Sequence, residues 1–438
     1  MHSRIRRAGG FAAVALLSLL APTLGVAAAI PFLAVAGAAA FLIREGPAFE
    51  LFARPGDRRD GRLNGLAGFA LAAAGLGLFA TIPRVAMPVR VYAAAIILLA
   101  VGNLGRQIAR SATDEEFLQA SAFVAAGALA GTLAQMAIVL QTGATIDVPR
   151  FVFLAAVGAL AAALLRAMLL ARDDPIVMIS IGFLLWLFDT LVVGVTVEGI
   201  VLALGVTIAL GYVSYALGTA SVPGMLTGVL LGLLTIILGD VGWFLVLISF
   251  YAIGGLASKF RFEQKAERGV AQENEGARGT GNVLANSAIA LAAVVGYAAT
   301  VHLSISGVVF ALAFAGAVST AMADTLASEI GGLYERPRLV TTLEPVPSGT
   351  DGAITVQGEL AGLAGAMLIG ALAAMGMPIG PAFLGGAVVT VAGFLGMTVD
   401  SLLGALVEGD RIGNQTVNLL ATLAGAIVAA GCTPLVVG

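Results

Sequence analysis

Charge is scarce in this chain. Of its 438 residues only 11% are Asp, Glu, Lys or Arg, while 59% are hydrophobic and the mean hydropathy is +1.00. That balance excludes a soluble globular protein, whose water-facing surface needs far more polar sequence. Cysteine is nearly absent as well. Cys432 stands alone, which rules out an intrachain disulfide and a cysteine-cluster metal site and leaves it a packing role. The two histidines, His2 and His302, are far apart and isolated, so no histidine-based zinc or catalytic centre is indicated. Nothing basic and aromatic-interleaved points to nucleic acid, and a net charge of −3 gives no reason to expect it.

What is plentiful is small and apolar. Long runs of Ala, Leu and Gly show no strand-like alternation, and 57 glycines are spread through them. In lipid only helices and closed barrels satisfy their own backbones. Unalternating runs select helices, and small residues let those helices approach closely. The expected fold is all-α: a polytopic integral membrane bundle of about fifteen transmembrane helices. The N-terminal stretch "MHSRIRRAGGFAAVALLSLLAPTLGVAAA" has the basic start and short apolar run of a secretory leader. With many later spans to insert, it reads instead as a first membrane helix held inside by its arginines. That helix, 11–25, is kept separate from a second at 28–43.

Positive charge sets an orientation. With the N-terminus in the cytoplasm, nineteen of the 23 Lys and Arg residues fall in cytoplasmic segments. Only Arg84, Arg90 and Arg150 lie outside, with Arg166 inside a span. Such asymmetry is the positive-inside pattern, so the expected location is the cell membrane with a cytoplasmic N-terminus.

Two regions differ in character. Residues 1–200 are spans with short loops, of unknown role. Their exception is Asp189 in "LWLFDTLVV", an intramembrane acid with no partner visible in the sequence. It is a candidate functional residue or an interhelical hydrogen-bonding group. Residues 201–438 carry longer polar loops at 259–281, 331–357 and 406–413, all expected in the cytoplasm. The first, "KFRFEQKAERGVAQENEGARGTG", has the composition of a solvated, partly mobile loop.

The second region holds a polar constellation. A helix entering near Ile305 and rising about 1.5 Å per residue reaches the far boundary after about twenty residues, which puts "MADTLASEI" there, with Asp324 at the boundary and Glu329 just beyond. The helix from Pro381 delivers Asp400 to the same level. Helices running the other way place Asn286 and Asn418 one turn inside it. Asp324 and Glu329 are turned about 140° apart on a helix, which argues against joint chelation. Asp324 and Asp400 together suit Mg²⁺, which takes one or two carboxylates plus waters and phosphate oxygens; helix capping is the alternative reading. In the loop that follows, Arg336, Arg338, Thr341 and Thr342 are donors suited to phosphate. Gly349 and Gly352 in "PSGTDG" allow a turn whose amides face an anion. No Walker P-loop occurs.

The stretches "GNVLANS" (281–287), "ADTLASEIG" (323–331), "PRLVTTLEPVPSGTDGAIT" (337–355) and "VDSLLGALVEG" (399–409) together resemble one membrane family. It is the domain of unknown function 92 family, which includes phytyl-phosphate kinase and transmembrane protein 19. "GWFLVLISFYAIGGLASKFRFEQK" (242–265) is similar to that family's early helix and basic exit. The resemblance covers about 200–438. It implies phosphoryl transfer from CTP or another NTP to an isoprenyl monophosphate of phytyl or geranylgeranyl type. It further implies that Asp324, Glu329 and Asp400 hold Mg²⁺ or orient the acceptor. By the same resemblance Arg338, Thr341 and Thr342 bind phosphate, and Asn286 and Asn418 support the site. One position departs from the pattern: Glu344 stands where the family has lysine after "TTL". Lys259, Arg278 or Arg336 would have to compensate. Two other classes fit parts of the pattern. One is a CTP-dependent cytidylyltransferase of a membrane lipid phosphate. The other is a transporter or scaffold, which would place its acids nearer the bilayer midplane.

Overall fold

The computed structural model describes residues 2–83, 87–168, 174–192, 194–271, 280–407 and 412–437, the side chains of His2, Met168, Thr280 and Asn282 excepted. Arg84, Arg172, Arg278 and Arg411 lie outside these described residues. The chain is helical nearly throughout and divides into two compact units, Met1–Val201 and Leu202–Gly438. Twelve helices among the described residues are long and apolar enough to cross a membrane. Two more, Val222–Leu238 and Val283–Ala299, are apolar but shorter. The polytopic helical bundle expected from the apolar runs is what forms.

The first unit begins with α1 (His2–Ala15), which tightens into 3₁₀ turns around α2 (Ala21–Leu24), so that Ser3–Ala27 passes as one long apolar span. The second segment differs from the single span expected at 28–43. Here α3 (Ile30–Gly37) runs to Leu42 and meets α4 (Gly46–Phe52) at a 106° bend. Gly46 permits that corner with φ +86°, and Ile30–Leu42 alone rises only about 20 Å, short of the roughly 30 Å core. Then follow α5 (Pro55–Asp60), α6 (Asn64–Thr81), α7 (Val89–Ala112), α8 (Glu116–Thr142), α9 (Val148–Met168) and α10 (Asp174–Leu191). Glycines let α7 and α8 touch. A Cβ on Gly105 would stand 2.7 Å from the Ala122 carbonyl, so any larger residue would push the pair apart.

In the second unit come α11 (Val197–Ala216, whose first residues belong to the other unit), α12 (Val222–Leu238), α13 (Val241–Lys259) and α14 (Phe262–Glu267). These are followed by α15 (Thr280–Ala299) and α16 (Gly307–Gly331). Two short strands, β1 (Arg338–Leu339) and β2 (Ala353–Ile354), pair antiparallel. The chain ends with α17 (Val356–Gly376), α18 (Ala382–Val407), α19 (Asn414–Gly431) and α20 (Thr433–Val437). The hub is α16, packed by α13, α15, α17, α18 and α19. Its middle is wholly buried, with Ala315, Ala317, Ser319, Thr320, Met322 and Ala323 all without exposed surface. Trp243 of α13, 1% exposed, sets its ring tilted against Tyr297 and Phe314 with centroids 4.7 and 4.9 Å away, fixing α13 and α15 against α16.

Candidate functional site

The polar end of α16 is set by helix register. Ser319 lies against Gly393, Thr320 against Gly396, and Ala323 is in one buried cluster with Met397 and Ala366. As α16 advances, its α18 neighbours advance with it, so the two helices run parallel. One step beyond Ala323 is Asp324, and one turn beyond Met397 is Asp400. The two aspartates, both half-buried, therefore arrive at the same level of two packed helices.

The remaining neighbours run the other way. Gly316 meets Gly425 and Ala429 of α19, and Gly307 sits beside Tyr297 of α15. Moving along α16 towards Asp324 thus means moving back along α19 towards Asn418 and along α15 towards Asn286. Both asparagines are buried, at 8% and 5% exposure. Four helices bring Asp324, Asp400, Asn286 and Asn418 to one end of the bundle.

Glu329 is held apart from this group by a residue that sequence reasoning missed. After α13 ends, Arg261 takes a left-handed conformation, φ +49°, and turns the chain back into α14. Lys265 is thereby driven inward until it is fully buried. Its ammonium donates to the carbonyls of Ala257 at 3.0 Å and Ser258 at 2.7 Å, and to Glu329 Oε2. The two carbonyls belong to the last turn of α13, where a cation is favoured by the helix dipole. All three donors of the lysine are used. Glu329 is not: its Oε1 is buried and meets no hydrogen-bond donor among the described residues. The loop expected to be solvated and mobile at 259–281 therefore contains a structured turn with a buried cation. No spacing rule links positions 64 residues apart, though Lys265 is one of only two lysines in the chain.

The loop after α16 is folded onto the same end. Arg268 Nη1 donates to the Gly332 carbonyl at 3.4 Å. Val270 packs where Cβ atoms on Gly332 and Gly349 would lie, 3.2 and 3.5 Å from its methyls. β2 rests against both α16 and α18. Gly352, at φ +72°, is seated on the backbone of Ser401–Ala405, a closeness that no side chain permits. Its turn thus sits just past Asp400. Arg336, Arg338, Thr341 and Thr342 are exposed. The Arg338 guanidinium donates to the Leu343 carbonyl at 2.6 Å, and Thr342 Oγ1 accepts from the Glu344 amide at 3.3 Å. Both groups therefore spend part of their hydrogen-bonding capacity within their own turn. Glu344 is exposed as well. Arg278, also a phosphate-binding candidate, lies outside the described residues. Among the described residues no three His, Cys, Asp or Glu side chains gather as a metal cage. The pair Asp324 and Asp400 remains, a donor set that suits Mg²⁺ shared with phosphate and water but not an all-protein site.

Comparison with known proteins reaches the same half of the chain. The family model of the integral membrane protein DUF92 matches residues 205–426. An uncharacterized membrane protein of Methanocaldococcus jannaschii, MJ0933, is 36% identical over 208 residues, 47% of this chain and 82% of that protein. An uncharacterized membrane protein of Synechocystis, sll0875, is 33% identical over 211 residues, 45% of this chain and 76% of its own length. Protein VTE6, chloroplastic, of Arabidopsis thaliana is 31% identical over 220 residues, 48% of this chain and 64% of that protein. No solved structure matches.

Proposed function

This chain belongs to the DUF92 family of integral membrane proteins, and from that premise we propose that its second unit is a membrane-embedded phosphotransferase. It moves a phosphoryl group from CTP or another NTP to an isoprenyl monophosphate. The observation that carries the reading is the arrival of Asp324 and Asp400 at one level of the parallel helices α16 and α18, beside buried Asn286 and Asn418. The resemblance of these motifs to a family that includes phytyl-phosphate kinase supports the choice of substrate.

The reaction needs positioning and charge neutralisation more than covalent chemistry. A phosphate oxygen of the isoprenyl monophosphate forms the new bond to the donor's γ-phosphorus. The bond between that phosphorus and the β–γ bridging oxygen breaks, and the nucleoside diphosphate leaves with the bridging oxygen. Asp324 and Asp400 would hold Mg²⁺, which when bound would supply neutralisation of the donor's phosphate oxygens. Asn286 and Asn418 orient the acceptor by hydrogen bonding. Glu329, fixed by Lys265, lies behind them with its buried Oε1 left over. Arg336, Arg338, Thr341 and Thr342, with the turn at Gly349 and Gly352, hold the nucleotide phosphates. The polar end faces the cytoplasm, where nucleotides are, and the N-terminus with it. Cysteines placed at exposed Ser348 and Glu267 in a Cys432→Ala background should resist an impermeant thiol reagent in intact cells, and ready labelling would reverse that orientation.

The test is product identification. Purified protein in lipid is incubated with prenyl monophosphates and each NTP in turn. A prenyl diphosphate together with a nucleoside diphosphate is the expected result. Release of pyrophosphate with a nucleotide-linked lipid would make the protein a cytidylyltransferase. Substrate movement across the bilayer without chemical change would make it a transporter.

A further inference from the structure

Between α11, α12, α13 and α15 lies a partly open groove. One end is marked by Thr207, Gly232 and Phe244, and the other by Ser214, Gly255 and Val283. From Phe244 to Gly255 the helix rises about 16 Å. Glycine serves two purposes along this wall. At Gly211 and Gly232 a Cβ would run into Val229 and Thr207, so those glycines let helices touch. At Gly228, one turn short of Gly232, nothing lies within 4 Å of where a Cβ would be. That glycine leaves room rather than closing a contact.

The second end is joined to the candidate site. Tyr251, a lining residue, shares a hydrogen bond with Ser287 of α15, next to buried Asn286. Lys259 is exposed at the end of α13, its Nζ donating to the Leu217 carbonyl at 2.8 Å. Gly255 stands one turn before Ser258, whose carbonyl accepts from Lys265, and the same ammonium pairs with Glu329 of α16. That end of the groove therefore lies towards the end of the bundle that carries Asp324 and Asp400. The geometry points to this groove as the binding site for the isoprenyl chain of the phosphate substrate, with its phosphate at that end near Lys259 and Tyr251. Apolar walls take the hydrocarbon, and the cation and phenol suit an anionic end. A single groove takes one chain, which favours a single-chain phosphate monoester over a two-chain phospholipid.

This inference rests on the phosphotransferase reading for its substrate, and the experiment separates the two. Turnover is measured for dimethylallyl, geranyl, farnesyl and geranylgeranyl monophosphates in the unaltered protein and in Gly228→Phe, with Gly228→Leu as a smaller plug should the first fail to accumulate. In parallel, a farnesyl monophosphate carrying a photoreactive group on its chain is cross-linked and the labelled residues are mapped. The plug should lower geranylgeranyl turnover at least tenfold while dimethylallyl turnover stays within twofold, and label should fall on α12 and α13 and vanish in the plugged variant. Equal loss for every chain length, or none, overturns the groove and leaves the phosphotransferase reading standing. If the unaltered protein turns over none of the four, that reading falls and the label decides. Label in the groove keeps it as an isoprenyl-phosphate site, while label elsewhere, or full competition by phosphatidic acid, removes it.

Discussion

The two units treat their buried charges differently. In the first, helix α10 carries an aspartate near each end, and each is gripped by two arginines. Asp174 receives Arg54 and Arg166, both at 2.7 Å, and Asp189 receives Arg90 at 2.7 Å and Arg150 at 3.0 Å. Asp174 takes one guanidinium on each carboxylate oxygen and Asp189 takes both on Oδ1, and every arginine comes from outside α10, so these clusters act as clamps between elements. In the second unit the buried pair Lys265 and Glu329 saturates only the lysine, and a carboxylate oxygen is left over. Closed clusters hold a bundle together. An open one, at the same bundle end as Asp324 and Asp400, is where substrate contacts are to be sought.

The largest effect is expected in the first unit. Asp189→Ala or Asp174→Ala strands two arginines and should cost about 3–5 kcal/mol of stability, read as a lower unfolding temperature in detergent. Turnover per folded molecule should not change; a specific loss of turnover would bring the first unit into the chemistry.

Next comes Asp400→Asn, which keeps size and hydrogen bonding but removes charge. Membrane abundance should be normal while turnover falls about 10²–10³-fold, the usual cost of losing one electrostatic partner of a transition state. Lost abundance with retained turnover would make Asp400 a structural residue like Asp189. Lys265→Met strands one charge rather than two, and about 3 kcal/mol is expected, the low end for a broken buried pair. Adding Glu329→Leu should restore most of that stability and none of the activity, whereas no restoration would deny the pairing. At the other extreme, the exposed pair of Arg58 and Glu50 is screened by solvent, and Glu50→Gln should leave the unfolding temperature unchanged.

Much of the fold could be read from the chain because long apolar runs leave lipid-embedded helices little choice. The level shared by Asp324 and Asp400 followed from counting helical rise along two runs. What escaped depends on contacts remote in sequence. Asp189 looked partnerless because Arg90 and Arg150 are 99 and 39 residues away. Lys265 was hidden in a stretch whose composition describes a loop, since burial there depends on the left-handed turn at Arg261. The corner at Gly46 was passed over because Ile30–Leu42 is apolar enough to read as a span, and only packing shows where it stops.

The claim that the second unit's polar end is a magnesium-dependent phosphotransfer site is tested most directly at Asp324. Diphosphate formation by Asp324→Asn, normalised to folded protein, is measured across a Mg²⁺ titration beside the unaltered chain. The expected result is near-complete loss at low Mg²⁺ with partial recovery at high Mg²⁺, because the removed charge held the ion that holds the donor. Normal turnover by Asp324→Asn at low Mg²⁺ would contradict the account and leave Asp324 as a helix-end hydrogen-bonding residue.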